Sequence, residues 1–287
     1  MKLAERSVGE VSLIELSGRL VLDDGDLQLR DRCAIVCAAS KGLGRATALA
    51  LAREGARVAI CARTAATLQD AAGEIRGATG ATVVPIIADV SRADDVQRLV
   101  DESAGALGAI DILVTNTGGP ASGPFMEFTD ADWHAAIDSV LMSVVRLSRA
   151  VVPHMRQRGA GRIINITSIS AKQPVEGLVL SNALRAAITG LSRTIANELA
   201  GDNILVNCVA PGYTKTDRVV ELAAAAAARE GVTAGEVQQR TENAIPLRRL
   251  ASPEEFANVV AFLASGRASY VTGTTLQIDG GYVRGLL

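Results

Sequence analysis

The sequence predicts a doubly wound α/β fold, a sheet of seven mainly parallel strands flanked by helices. From residue 33 onward, short β-branched runs alternate with longer helical patterns, the rhythm of crossover connections between parallel strands. The runs are continuously apolar rather than alternating, as in strands covered on both faces. With 287 residues, 48% hydrophobic and only 3% aromatic, the chain suits one large domain packed with Ala, Val and Leu.

The strands are predicted in order at 33–37 (CAIVC), 57–62 (RVAICA), 82–88 (TVVPIIA), 110–115 (IDILVT), 161–168 (GRIINITS), 203–210 (NILVNCVA) and 274–279 (TTLQID). Helices follow the first four, the fourth being longer, and another begins near Leu178. A helical insertion is expected over 217–242 and a short helix after Pro253. In such a sheet, ligands bind at the carboxyl ends of the strands where strand order reverses.

The main domain spans 29–287 and leaves an extension at 1–28. "VGEVSLIELSGRLVLDDGD" reads as two strands joined at Ser17-Gly18 and ending in an acidic turn. It resembles the start of an anti-sigma-factor-antagonist (STAS) domain, whose remainder is absent. A fusion remnant or misassigned start is one reading, a plain β-extension on the sheet the other; neither implies chemistry.

A formal charge of -2, from 29 basic and 31 acidic residues without a basic block, gives no electrostatic footprint for nucleic acid or an anionic membrane. The substrate class left is small molecules. Cys33, Cys37, Cys61 and Cys208 lie scattered in apolar runs without a C-x-x-C pair, which favours reduced core thiols and a cytoplasmic protein. No signal-peptide pattern or membrane-spanning run is seen. His134 and His154 lie on one long helix away from any ligand cluster, so no metal is expected. There is no G-x-S-x-G elbow and no G-x-x-x-x-G-K-[ST] loop.

The first strand runs into CAASKGLGRATALALAREGA. Gly42 and Gly44, with Ser40, Lys41 and Leu43, stand where strand turns to helix, so backbone amides can meet a pyrophosphate. Strand, glycines, Ala-rich helix and second strand in this order predict a Rossmann-type dinucleotide site. The second strand ends in AICARTAA, with Arg63 where a ribose-binding carboxylate would stand. Arg63 with Lys41 suits a 2′-phosphate, so NADP(H) is expected over NAD(H); solvated surface charge is the alternative for either residue.

These residues resemble the short-chain dehydrogenase/reductase family, in particular its 3-oxoacyl-acyl-carrier-protein reductase-like branch. The resemblance covers 29–283 and rests on the glycine loop 37–44, Asp89-Val90, TNTG 115–118, IINITS 163–168, PGYTKTD 211–217 and TGTTLQIDGG 272–281. It implies that Asp89 and Val90 flank the adenine and that Asn116 and Gly118 hold the cofactor backbone. It also implies that Pro211, Gly212, Thr214 and Thr216 meet the nicotinamide end. The family's T-G-x-x-x-G-x-G begins here as Cys37-Ala38, so its first glycine is alanine, a change expected to weaken binding mildly if Ala38 keeps the angles of an L-residue.

The family's catalytic set is Asn, Ser, Tyr and Lys. Only the serine matches, as Ser168; gapless counting puts Ser181 at the tyrosine, Arg185 at the lysine and Val140 at the asparagine. Val140, Val144, Leu147 and Val151 form a helical stripe, which packing explains. A serine hydroxyl ends roughly 4 Å short of a tyrosine's, and arginine does not shuttle protons, though Arg185 can still bind ribose or phosphate. Tyr213, or less readily Lys172, is the candidate replacement acid.

The leading expectation is an NADP(H)-dependent oxidoreductase interconverting carbonyl and alcohol, with the 217–242 insertion as a lid. The rival is a non-catalytic NADP(H)-binding sensor or scaffold. The long helices near 130–158 and 179–200 are apolar beyond one stripe, and by resemblance a homodimer or homotetramer is expected.

Overall fold

The computed structural model describes residues 27–286 and, as backbone only, three strands between residues 6 and 22. Those three, β1 (Arg6–Val8), β2 (Val11–Leu16) and β3 (Arg19–Leu22), form an antiparallel sheet of their own, β1-β2-β3, rather than extending the main sheet. The Ser17-Gly18 junction and the acidic stretch 23–26 (DDGD) lie outside the described residues.

The seven expected strands are all present: β4 (Cys33–Val36), β5 (Arg57–Ala62), β6 (Val83–Ile87), β7 (Ile112–Thr115), β8 (Gly161–Ile166), β9 (Ile204–Pro211) and β10 (Thr275–Ile278). Every pairing among them is parallel, in the order β10-β9-β8-β7-β4-β5-β6. Order reverses between β4 and β7, and a crevice opens beyond their carboxyl ends.

Helices α1 (Gly42–Arg53), α2 (Ala65–Thr79) and α3 (Ala93–Leu107) follow the first three of these strands. Helix α4 (Asp130–Ala136) opens on a Thr129–Asp132 capping box and runs through a π segment, Ile137–Met142, into α5 (Ser143–Arg158). The stripe of Val140, Val144, Leu147 and Val151 is buried throughout, as packing requires. Helix α6 (Val179–Leu199) follows β8. The helical insertion expected over 217–242 is built of two helices, α7 (Asp217–Glu230) and α8 (Ala234–Ala244). Gly231, left-handed at φ +70°, ends α7, and a Thr233–Glu236 capping box starts α8; those residues separate the two. Helix α9 (Pro253–Ala264) precedes β10, with proline in its first turn and a Ser252–Glu255 capping box.

Strand alternation sends Ala34, Val36, Val58 and Ile60 into one core with α1, α2 and α9, and Cys33, Ile35, Ala59 and Leu113 into the other with α3, α5 and α6. A smaller cluster, Val140, Val144, Leu184, Ile188 and Cys208, joins the π-containing helix to α6. All four cysteines are buried and none is disulfide-bonded. No described helix is long and apolar enough to cross a membrane.

Candidate active site at the carboxyl edge of the sheet

The glycine loop hangs from three hydrogen bonds: Cys37 N–H to the Val114 carbonyl (3.0 Å), Ala39 N–H to the Cys61 carbonyl (2.9 Å), and the Asn116 side-chain Nδ2 to the Ala38 carbonyl (3.4 Å). Gly44 is buried against it, and a Cβ there would overlap the Ala38 carbonyl. The condition under which the alanine would weaken binding only mildly is not met: Ala38 has φ +47°. The loop demands the left-handed conformation that the family's glycine supplies, and alanine adopts it at a cost of roughly 1–2 kcal/mol.

Around the crevice, Ser40, Gly42 and Leu43 are partly exposed at the start of α1. Lys41 precedes that helix and makes an ion pair with Asp217, a residue sequence reasoning missed. Arg63 is exposed just past β5, with no ion pair or hydrogen bond among the described residues. The Asp89 carboxylate takes the Ser91 N–H and hydroxyl, and its own N–H donates to Asp95, which fixes the turn that Val90 shares. Gly118 is exposed in the loop after β7. At the end of β9, Gly212 N–H donates to the Ile278 carbonyl (2.8 Å), Pro211 pairs in register with Ile278, and the Thr216 hydroxyl donates to the Thr214 carbonyl (3.3 Å).

Two buried hydroxyls in these loops, Thr117 Oγ1 and Thr214 Oγ1, have no hydrogen-bond partner among the described residues. Thr47, Ser103 and Ser148 are unpartnered as well, so what sets these two apart is their place in the loops after β7 and β9, where an entering ligand can bond them. Together with the start of α1 and the partner-free Arg63, they fit a phosphorylated dinucleotide.

Beside the crevice lie the residues at the catalytic positions. Ser168 is extended at the end of β8, and its hydroxyl accepts the Ser170 N–H (3.1 Å). That contact leaves the Ser168 proton free for another acceptor. Ser170, buried, shares a hydroxyl–hydroxyl bond of 3.1 Å with Ser181 on α6. The Ser-x-Ser spacing of Ser168 and Ser170 is the signal that sequence reasoning passed over. Asn182 holds the intervening loop by bonding both the N–H and the carbonyl of Val175.

Arg185 is 6% exposed, and its guanidinium donates to the Ile166 carbonyl at 2.8 Å. Burial, aided by the nearby Arg218, pushes its pKa down to about 10. Val140 is fully buried in the π segment, and no polar side chain stands at that position.

Tyr213 sits edge-on to Tyr282, with ring centroids 5.3 Å apart and planes at 79°. Burial and the neighbouring phenol raise its pKa well above the usual range, which makes it a poorer proton donor. Lys172 caps the short turn after Ser168, and its charge acts on the buried Cys208, as does that of Arg185. Tyr213 also lines a cavity of about 510 Å³ beneath α7 and α8, with Val175, Leu178, Val219, Ala223 and Leu250 among its apolar walls. Among the described residues no group of three or more His, Cys, Asp or Glu can hold a metal ion.

A family profile described as enoyl-(acyl carrier protein) reductase matches residues 37–283. The chain belongs to the short-chain dehydrogenase/reductase family. Dehydrogenase/reductase SDR family member 4 of Oryctolagus cuniculus is 37% identical over 254 residues, 88% of this chain and 94% of the relative. The 3-oxoacyl-[acyl-carrier-protein] reductase of Synechocystis sp. is 36% identical over 256 residues, 89% and 98% of the two chains. L-sorbose reductase from Gluconobacter frateurii, solved with NADPH and L-sorbose, superposes with TM-score 0.86 at 35% identity, covering 91% of this chain and 100% of that one.

Proposed function

We propose that this short-chain dehydrogenase/reductase is an NADP(H)-dependent oxidoreductase that interconverts a carbonyl and an alcohol on a small-molecule substrate, resembling 3-oxoacyl-acyl-carrier-protein reductases in its reaction. One observation carries the reading. The glycine loop, the partner-free Arg63 and the orphaned hydroxyls of Thr117 and Thr214 share one sheet edge with Ser168, whose hydroxyl proton is uncommitted.

When bound, the nicotinamide supplies or accepts the hydride. Lys41 and Arg63 take the 2′-phosphate, the Ser40–Gly44 amides the pyrophosphate, and Asn116, Gly118, Thr214 and Thr216 the remaining polar edge, with Asp89 and Val90 beside the adenine. Ser168 donates to the substrate carbonyl and fixes its orientation. Ser181 is too short and too weak an acid to replace a phenol, so a water held between the Ser170–Ser181 pair and the substrate brings the proton. Buried Arg185 contributes a fixed positive charge behind β8 that favours a developing alkoxide, and through Ile166 it braces the strand that carries Ser168. Tyr213 shapes the wall of the cavity, over which α7 and α8 act as a lid. In our reading the chain works as a homodimer or homotetramer; a monomer by light scattering would contradict that.

The inward turn of Arg185 and the absent phenol favour one second reading, a sensor or scaffold that binds NADP(H) without turnover. NADPH fluorescence on binding, then NADPH oxidation against 3-oxoacyl thioesters, ketones and quinones, separates the two. Oxidation with any substrate supports the enzyme. Binding without turnover, restored by Ser181→Tyr/Arg185→Lys, supports the sensor, and no binding removes both.

A further inference from the structure

Three successive residues at the start of the lid are clipped to the two loops that flank the dinucleotide crevice. Thr216 stands over the glycine loop, its Cγ2 3.6 Å from where a Cβ on Gly42 would lie. The carboxylate of Asp217, first residue of α7, is 2.9 Å from the Lys41 ammonium just before α1. Arg218 reaches the other way and donates to the Pro120 carbonyl, in the loop after β7, at 2.8 Å. The lid therefore starts astride the crevice, held by one ion pair and one hydrogen bond.

The ion pair involves one of the two cations assigned above to the 2′-phosphate. Arg63, the other, has no partner among the described residues, and Arg45 is already held by Glu74 at 2.7 Å. Lys41 and Asp217 are 67% and 68% exposed, so water and salt screen their attraction. A phosphate facing both Lys41 and Arg63 offers Lys41 more charge than one carboxylate does. NADP(H) presents that phosphate at the ribose, whereas NAD(H) presents a neutral hydroxyl.

We propose that Asp217 is a specificity-determining residue that competes with the cofactor's 2′-phosphate for Lys41, so that phosphate capture by Lys41 also releases the first turn of the lid. The proposal rests on the NADP(H) reading above and adds a link between cofactor choice and access to the cavity. Asp217 lowers the protein's preference for NADP(H) over NAD(H), and entry of the phosphorylated cofactor precedes opening for substrate.

The test measures Kd for NADPH and for NADH by nicotinamide fluorescence in the wild type, Asp217→Asn, Lys41→Met and the double variant. Asp217→Asn is expected to tighten NADPH about threefold, the scale of an exposed ion pair. NADH affinity should stay unchanged, which also certifies that the variant is folded. With Lys41→Met in place, Asp217→Asn should have no further effect. A second readout uses adenosine 2′-monophosphate as probe: it should speed tryptic cleavage between residues 215 and 229 in the wild type, while Asp217→Asn is cleaved fast without it. An equal shift for both cofactors, or none for either, overturns the competition. Unchanged cleavage overturns the release of the lid. Failure of the wild type to bind either cofactor is a different result, since it removes the dinucleotide reading itself.

Discussion

The two halves of the crevice have diverged to different depths. On the β4–β6 side the glycine loop keeps its course although its first glycine is alanine; Ala38 simply takes the left-handed angles the loop imposes. On the β8–β9 side, gapless counting puts Ser181, Arg185 and Val140 at the family's Tyr, Lys and Asn, and the two polar side chains among them are held by neighbouring groups. Ser181 bonds Ser170, and Arg185 bonds the Ile166 carbonyl. A site made of backbone amides survives a side-chain change at the cost of some strain. A site made of functional groups changes its chemistry when those groups change.

The strongest way to break that contrast is to restore the altered half. Ser181→Tyr/Arg185→Lys should raise NADPH oxidation with a responsive ketone by about 10²–10⁴-fold, the contribution of a general acid, with little change in NADPH affinity. No gain would show that the catalytic half is limited by something other than its missing acid. Damage to the other half tests the converse. Gly44→Ala pushes a methyl into the Ala38 carbonyl and should cost about 1–3 kcal/mol in thermal unfolding, together with most of the dinucleotide affinity. A stable, binding-competent variant would mean that the loop is less tightly determined than its packing implies. A subtler change is Ala38→Gly, expected to relieve the strain and stabilise the fold by about 0.5–1 kcal/mol by chemical denaturation, net of the freer unfolded chain. Destabilisation instead would place the strain elsewhere. The smallest effect belongs to Tyr213→Phe, whose turnover should stay within about twofold because the phenol is too weak an acid to carry the step. A large loss would return Tyr213 to the mechanism.

Seven strands and their parallel order were legible because burial on both faces leaves uninterrupted apolar runs, and crossover helices separate them in sequence. The crevice was legible for the same reason: Gly42, Gly44 and Asn116 follow strand ends, and parallel strands bring their ends to one edge. What failed to show depends on dihedral angles and long-range partners. Nothing local tells that Ala38 is left-handed; that follows from the bonds through which the Val114, Cys61 and Asn116 segments hold the loop. Asp217 reads as an ordinary first-turn acid until Lys41, distant in sequence, is seen beside it. The lid was legible as helical from its alanine run, but the break at Gly231 was not, because its φ of +70° is settled only in three dimensions. Arg185 was placed at the right helix position, but a helical wheel does not say whether a long cation turns outward or folds back onto a strand.

That folded-back arginine bears on how the protein meets acidity. In a site run by a titrating acid, the pH–rate curve is a portrait of the protein. Here the serine hydroxyls ionise far outside the physiological range, and Arg185 loses its proton only near about 10. None of the three changes charge between about pH 5 and 9. Acidification therefore reaches this crevice through what binds there, the substrate and the cofactor's 2′-phosphate with its second pKa of about 6, while the chemical state of Ser168, Ser181 and Arg185 stays the same throughout.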